Sequence, residues 1–358
     1  MSTLPVSGGS FGRFIFVPLN PMEMRTDFSL KTLNTFHVEA AAARYIRFDS
    51  DDEIVDFIGR NALDGHRLLV LGGGSNLLFV DDFDGIVLHP LLKGIHVVKA
   101  DRQHLWVRAN AGENWDDLVA IAVANGWAGI ENLSLIPGSV GASAVQNIGA
   151  YGVEVKDVID RVEAISMESR KKITLLPGEC GFGYRTSHFK GRWAGAFIIT
   201  AVDFKLNRQP DYVLDYPGVK AAVEDLGSIN LKTIRQAIIS IRQDKLPDPA
   251  QVGNAGSFFK NPVIDGNTLS RLCQRFPDLP HYPQGDDQFK LAAGWMIERC
   301  GWKGKRVGKA AVHHQQALVL VNLGGATGRE ILRLSEQVKR SVQEFFDIEL
   351  DREVLVVP

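Results

Sequence analysis

Cysteine is scarce in this chain, three among 358 residues, and Cys180, Cys273 and Cys300 lie too far apart to match a metal-ligand spacing. An odd, scattered set excludes a disulfide framework and suits a reducing compartment, so all three read as structural thiols. An excess of charge is missing too. The 40 Lys and Arg against 42 Asp and Glu leave a net charge of −2 at pH 7, without the basic field that nucleic acid requires. No apolar run reaches the roughly 18 residues of a membrane helix. The N-terminus has no charged segment leading into a continuous apolar one, so a cytoplasmic protein with no membrane partner is expected. His313-His314 has no third ligand at a suitable spacing, and adjacent strand residues would face opposite ways, so no metal is expected. Internal repeats and low-complexity tracts are absent as well.

What is present can build a large core: 45% of the residues are apolar, and the length suits two or three domains. Residues 1–26 are rich in Ser, Gly and Pro without a sustained period and read as a loosely ordered extension. Ser50 to Glu53 forms a capping box, and Ile54, Val55, Phe57, Ile58 and Ala62 continue a helical stripe leading into a strand at 68–71. Strands follow at 85–89, 95–99 and 104–109, then a helix at 115–124, then strands at 161–167, 171–175 and 196–206. A helix at 231–245 stops before Pro247 and Pro249, which marks the best domain boundary. Beyond it the pattern gives a helix at 291–300, a strand at 317–321, a capped amphipathic helix from Thr327 and Glu330 onward, and a closing strand at 348–357.

Two glycine-rich segments interrupt this pattern. Gly72, Gly73, Gly74, Ser75 and Asn76 follow the strand at 68–71, but the run 77–80 has no helical period and the Gly-x-Gly-x-x-Gly spacing is missing, which disfavours a Rossmann site. The second segment, 135–152, holds Pro137, Gly138, Ser139, Gly141, Ala142, Asn147, Gly149, Ala150 and Tyr151. Either segment alone is an ordinary tight turn. Two in one α/β region suggest that small residues let a phosphate-bearing cofactor approach the backbone.

Together, "LGGGSN", "IPGSVGASAVQNIGAYG", "FGYRTS", "NAGSFFKNP", "KLAAGWMIE" and "LDREV" resemble, in order and spacing, the UDP-N-acetylenolpyruvoylglucosamine reductases, the MurB family of cell-wall precursor enzymes. The similarity runs from about Leu33 to Val354. It implies an α+β fold: a two-part FAD-binding region of the vanillyl-alcohol oxidase and p-cresol methylhydroxylase type, plus a smaller α+β substrate domain. On this chain the FAD region covers 27–246, completed by a terminal strand at 347–358, and the substrate domain covers 247–346. The implied reaction passes a hydride from NADPH through non-covalent FAD to the enolpyruvyl ether of UDP-N-acetylglucosamine, giving UDP-N-acetylmuramate for peptidoglycan.

By the same resemblance Arg185 and Glu353 lie at the substrate carboxylate and Ser257 delivers a proton. Arg185 suits a developing oxyanion because its fork is always charged and binds bidentately. Beside another carboxylate, Glu353 is expected as a hydrogen-bond-donating acid. Without the resemblance, Glu349, Asp351 and Glu353 would read as the acidic face of an edge strand. Tyr184, Tyr216, Lys245, Asn261 and Gln316 are the implied substrate contacts, with Tyr216 on a loop that closes over the substrate. Taken alone, the tyrosines read as packing, Lys245 as a solvated helix end and Asn261 as a turn former. Two other readings stay open: an FAD-dependent oxidase of the same superfamily, and a non-catalytic binder of UDP-sugar or flavin.

Neither glycine segment contains a histidine or cysteine that could link covalently to a flavin. Acid denaturation of the yellow protein should therefore release its FAD into the supernatant. Flavin retained in the pellet, or colourless protein that cannot be reconstituted, contradicts this.

Overall fold

The computed structural model describes residues 23–60, 63 and 65–358. Most of the expected extension, and Ala62, therefore lie outside the described residues. The last residues of that extension are ordered: Met24–Ser29 is a strand paired antiparallel with Ala41–Phe48. The sheet continues with Phe83–Pro90 and then Leu68–Val70, both parallel to their neighbours, so the first glycine segment leaves from an edge strand. The helix Asp51–Arg60 packs Ile54, Phe57 and Ile58 against this sheet and against Ile165 and Ile198 of the next one. Its cap is displaced by one residue from the expected box. Ser50 Oγ accepts from Glu53 N at 3.3 Å, but the Glu53 carboxylate accepts from Asp49 N at 2.7 Å.

A five-stranded antiparallel sheet follows, in the order Lys172–Leu175, Ile159–Ser166, Phe197–Asn207, His104–Asn110 and Ile95–Ala100. The helix Trp115–Ala124, capped by Asn114, and the short helix Val140–Gln146, capped by Ser139, cover it. Trp115, Leu118, Val140, Ala144 and Phe204 share its core. The third layer is an antiparallel sheet of Gly253–Ser257, Val319–Asn322, Ala310–Val312 and Arg306–Val307, covered by the helix Gly328–Phe346. The expected box at Thr327 and Glu330 forms in full, and Ile331, Leu334, Val338 and Val342 are buried.

This third layer does not stand apart. One hydrophobic cluster runs from Leu30, Phe36 and Phe79 through Phe258 and Phe259 to Ile331, Phe346 and Val357, so packing crosses the boundary placed at Pro247. Asn322 Nδ2 donates to Phe36 O at 2.8 Å, and Asn254 N donates to Thr35 O at 2.9 Å. Gly328 has no room for a Cβ against Phe79 O, which seats the last helix directly on the strand Leu77–Phe79.

Several expected elements change. The helix expected at 291–300 spans Ala293–Arg299, and the strand at 317–321 is Val319–Asn322. The closing strand shrinks to Leu355–Val357, parallel to Leu77–Phe79. Upstream, residues 351–353 run against 258–260 instead: Lys260 N donates to Asp351 O at 2.9 Å and Glu353 N to Phe258 O at 2.8 Å. His313 and His314 follow the strand Ala310–Val312 rather than lying in it. Their rings sit 4.4 Å apart instead of facing opposite ways.

Candidate active site

The two glycine segments meet, and their small residues serve that meeting. A Cβ on Gly73 would lie 2.7 Å from Gly138 Cα, and one on Gly72 would lie 2.8 Å from Ser139 Oγ and 2.9 Å from Ala142 Cβ. Ser75 Oγ donates to Pro137 O at 2.9 Å. Gly74, at φ +63°, abuts Leu33 O. What the absent Cβ atoms make room for is therefore the chain's own other loop. The same segments also carry free amide groups. Among the described residues, the N–H groups of 72–76, Gly138 and Ser139 donate to no backbone or side-chain acceptor. Unpaired amides on two touching loops fit the pyrophosphate of a dinucleotide cofactor.

Behind the first loop stands His89, 5% exposed, whose Nδ1 is 2.9 Å from Tyr45 Oη and whose ring also hydrogen-bonds the Gly72 backbone. Tyr45 in turn stacks on Phe28 at 4.1 Å. Burial brings the His89 pKa down to about 4 and keeps the imidazole neutral.

A polar cluster lies where three segments join. Arg185 Nε is 3.1 Å from Glu353 Oε1, and Arg185 also donates to Gly149 O. Arg185 holds φ +54°, an uncommon conformation for a residue with a Cβ and one that recurs at functional sites. Its guanidinium is 5.3 Å from the Tyr184 ring, as is Lys290 Nζ. Gln146 Nε2 donates to Glu353 Oε1 at 3.2 Å, and Lys190 Nζ donates to Gln146 Oε1 at 2.6 Å and to Glu353 O at 2.9 Å. Asn76 Nδ2 reaches the same carbonyl at 3.3 Å. Ser257, half-buried, ends its strand after a bulge in which Gly256, at φ +67°, donates to Asn254 Oδ1 at 2.9 Å. The peptide hydrogen bond from Glu353 to Phe258 sets the backbone next to Ser257 against the segment that carries Glu353.

Residues 248–357 match the C-terminal domain of UDP-N-acetylenolpyruvoylglucosamine reductase, and residues 42–170 match an FAD binding domain. The chain is 45% identical to that reductase from Bacteroides fragilis, over 92% of this chain and 99% of the relative. The chain belongs to the UDP-N-acetylenolpyruvoylglucosamine reductase family. A family member from Flavobacterium johnsoniae is 43% identical over 94% of this chain and 100% of its own. The crystal structure of the Thermus caldophilus enzyme superposes with a TM-score of 0.66 at 25% identity, over 94% of this chain and 99% of that one. The expected fold class is therefore the observed one, an FAD-binding region joined to a smaller α+β domain.

The remaining expected residues fall into place unevenly. Asn147, at φ +44°, spends its side chain within the protein, donating to Gly183 O at 2.7 Å and accepting from Lys156 N at 3.1 Å. Ala150 lies in a two-residue strand with Gly149, and the Tyr151 ring stands 5.2 Å from that of Tyr216. Asn261 Oδ1 accepts from Ala293 N at 3.0 Å, and Gln316 Oε1 accepts from Leu318 N at 3.4 Å, beside Gly294. Lys245 is exposed at its helix end. The edge-strand reading of the acids also fails. Glu349 is 74% exposed and pairs with Lys339, whereas the Glu353 side chain is 16% exposed. Oε1 of Glu353 accepts from Gln146 Nε2 and forms an ion pair with Arg185. Gln146, Lys190 and Arg242 were not singled out from sequence. Arg242 hydrogen-bonds Tyr151, and burial lowers its pKa.

The position of His89 gives a pH signature. An unfolded histidine protonates near 6.5 and the folded one only near 4. Stability is thus complete above 6.5 and declines as pH falls toward 4, by roughly 3 kcal/mol in all. Melting temperatures measured across this range should decline in the wild type. His89→Leu should start lower at neutral pH and decline less, and equal slopes for the two proteins would contradict the assignment.

Proposed function

We propose that the chain reduces the enolpyruvyl ether of UDP-N-acetylglucosamine to UDP-N-acetylmuramate, with NADPH as electron source, in the cytoplasmic supply of peptidoglycan precursor. The observation that carries this reading is the joining of Arg185, Glu353 and the Ser257 strand in a chain of this family, through the 2.8 Å hydrogen bond from Glu353 N to Phe258 O. FAD, when bound on the two glycine loops, supplies hydride to the vinyl carbon remote from the ether oxygen.

The chain's own residues manage charge and proton. Hydride addition moves negative charge onto the substrate carboxylate, and Arg185, held from behind by Gly149 O, presents its fixed fork there. A substrate carboxylate that takes Arg185 frees Glu353 from its present partner. Glu353 then meets a second carboxylate, which favours its neutral, hydrogen-bond-donating form. Ser257 protonates the neighbouring carbon from the end of its bulged strand. Tyr184, Asn261 and Gln316 are read as substrate contacts, and Lys245 as a cation for the diphosphate. Tyr216 is 46% exposed and packs on Tyr151, which suits a tyrosine loop that closes over the substrate.

The two half-reactions test this reading. In Ser257→Ala, NADPH should bleach the flavin at near the normal rate, while reoxidation by the enolpyruvyl substrate should slow by ~10²–10⁴-fold. Glu353→Gln should keep part of the reoxidation rate at saturation, Glu353→Ala should lose much more, and Glu349→Ala should be nearly neutral. Slow bleaching in Ser257→Ala, or normal turnover in both Ser257→Ala and Glu353→Ala, would show the roles to be wrong.

A further inference from the structure

Lys190 takes part in none of these steps, yet it is tied to the centre of the cluster. Its ammonium donates to Gln146 Oε1 at 2.6 Å and to the Glu353 carbonyl at 2.9 Å. Gln146 is 9% exposed, and both ends of its amide are engaged, since Nε2 donates to Glu353 Oε1 at 3.2 Å. An ammonium can only donate. It therefore dictates which end of the amide faces it and leaves the NH₂ end for Glu353. Arg185 Nε approaches the same oxygen at 3.1 Å. Once the substrate carboxylate has drawn Arg185 away, Gln146 remains the donor on Oε1, and the proton of a neutral Glu353 belongs on Oε2.

We infer that Lys190 is a positioning residue that, through Gln146, reserves Oε2 of Glu353 for the proton offered to the substrate carboxylate. The inference rests on the reading of Glu353 as an acid at that carboxylate. The charged groups facing Lys190 are Lys260, which follows the Ser257 strand, Glu353 from the terminal segment, and Arg185 from its own loop. Burial first, then Lys260, brings the Lys190 pKa down to about 8. Above that pH a neutral amine can accept as well as donate, so Gln146 is free to turn its carbonyl toward Oε1. The proton of Glu353 then settles on Oε1, against Gln146. The substrate half-reaction should accordingly fall away on the alkaline side of about 8. The NADPH half-reaction should lack that limb.

The experiment is stopped-flow on the FAD-loaded enzyme across pH, reading bleaching by NADPH and reoxidation by UDP-N-acetylglucosamine enolpyruvate separately. Lys190→Met should reoxidise about 10-fold more slowly at saturation and lose the alkaline limb, with bleaching little changed. Lys190→Arg, which still only donates, should keep most of the rate and move the limb to higher pH. A Lys190→Met enzyme with the wild-type reoxidation rate and limb overturns the inference. Glu353→Ala, run alongside, separates the two ways of failing. If Glu353→Ala reoxidises like wild type, the reading of Glu353 falls; if it is slow while Lys190→Met is normal, only the role of Lys190 falls. Should Lys190→Met not fold, Gln146→Met interrupts the same relay and must lose the same limb.

Discussion

The arrangement depends on one short stretch of backbone, residues 351–357, which changes partners midway. Glu353 N pairs with Phe258 O at 2.8 Å, and two residues later Leu355 N pairs with Asn76 O at 3.1 Å. One partner adjoins Ser257 and the other closes the first glycine loop. The Glu353 carbonyl between them accepts from Asn76 and Lys190. Residues 351–357 thus tie the first glycine loop to the strand that carries Ser257, with Glu353 at the junction. The shared core from Phe36 to Val357 makes that junction rigid, because packing is continuous where a hinge would otherwise lie.

The electrostatics of the junction oppose folding and favour an anion. Lys190, Lys290 and Arg242 all have their pKa values lowered, by burial first, and Arg185 adds to the lowering in each case. Arg242 Nε is buried with no hydrogen-bond partner. Crowded, partly desolvated cations raise the energy of the folded chain and lower it again when a carboxylate or diphosphate arrives. The strained backbone of Arg185 belongs to the same trade between stability and function.

Local chemistry was legible in the sequence and long-range meetings were not. The helices 115–124, 231–245 and 327 onward could be read because their caps lie within a few residues of the groups they satisfy. The glycine segments could be found, but not the reason for them, since Gly73 and Gly138 explain each other only once the chain is folded. The closing strand was overextended because period-two alternation cannot register a change of partner at Glu353. Gln146 lies inside one of the motifs that carry the resemblance, and Lys190 lies three residues beyond another, "FGYRTS". Their separation from each other and from Glu353, 44 and 207 residues for the bonds of Gln146, hid their common site. Composition gave no hint of the cationic junction, because a net charge of −2 averages it away.

The claim that the terminal backbone ties the first glycine loop to the Ser257 strand is tested most directly at Leu355, whose side chain is 47% exposed and whose amide pairs with Asn76. Leu355→Pro removes that donor, and Leu355→Ala removes only the side chain. In stopped-flow, Leu355→Pro should lose about 10-fold or more of the saturating rate of flavin reoxidation by substrate and should bind FAD more weakly, while Leu355→Ala stays near wild type. Equal rates and equal FAD affinity in the two variants would contradict the account and reduce the terminal segment to a passive edge.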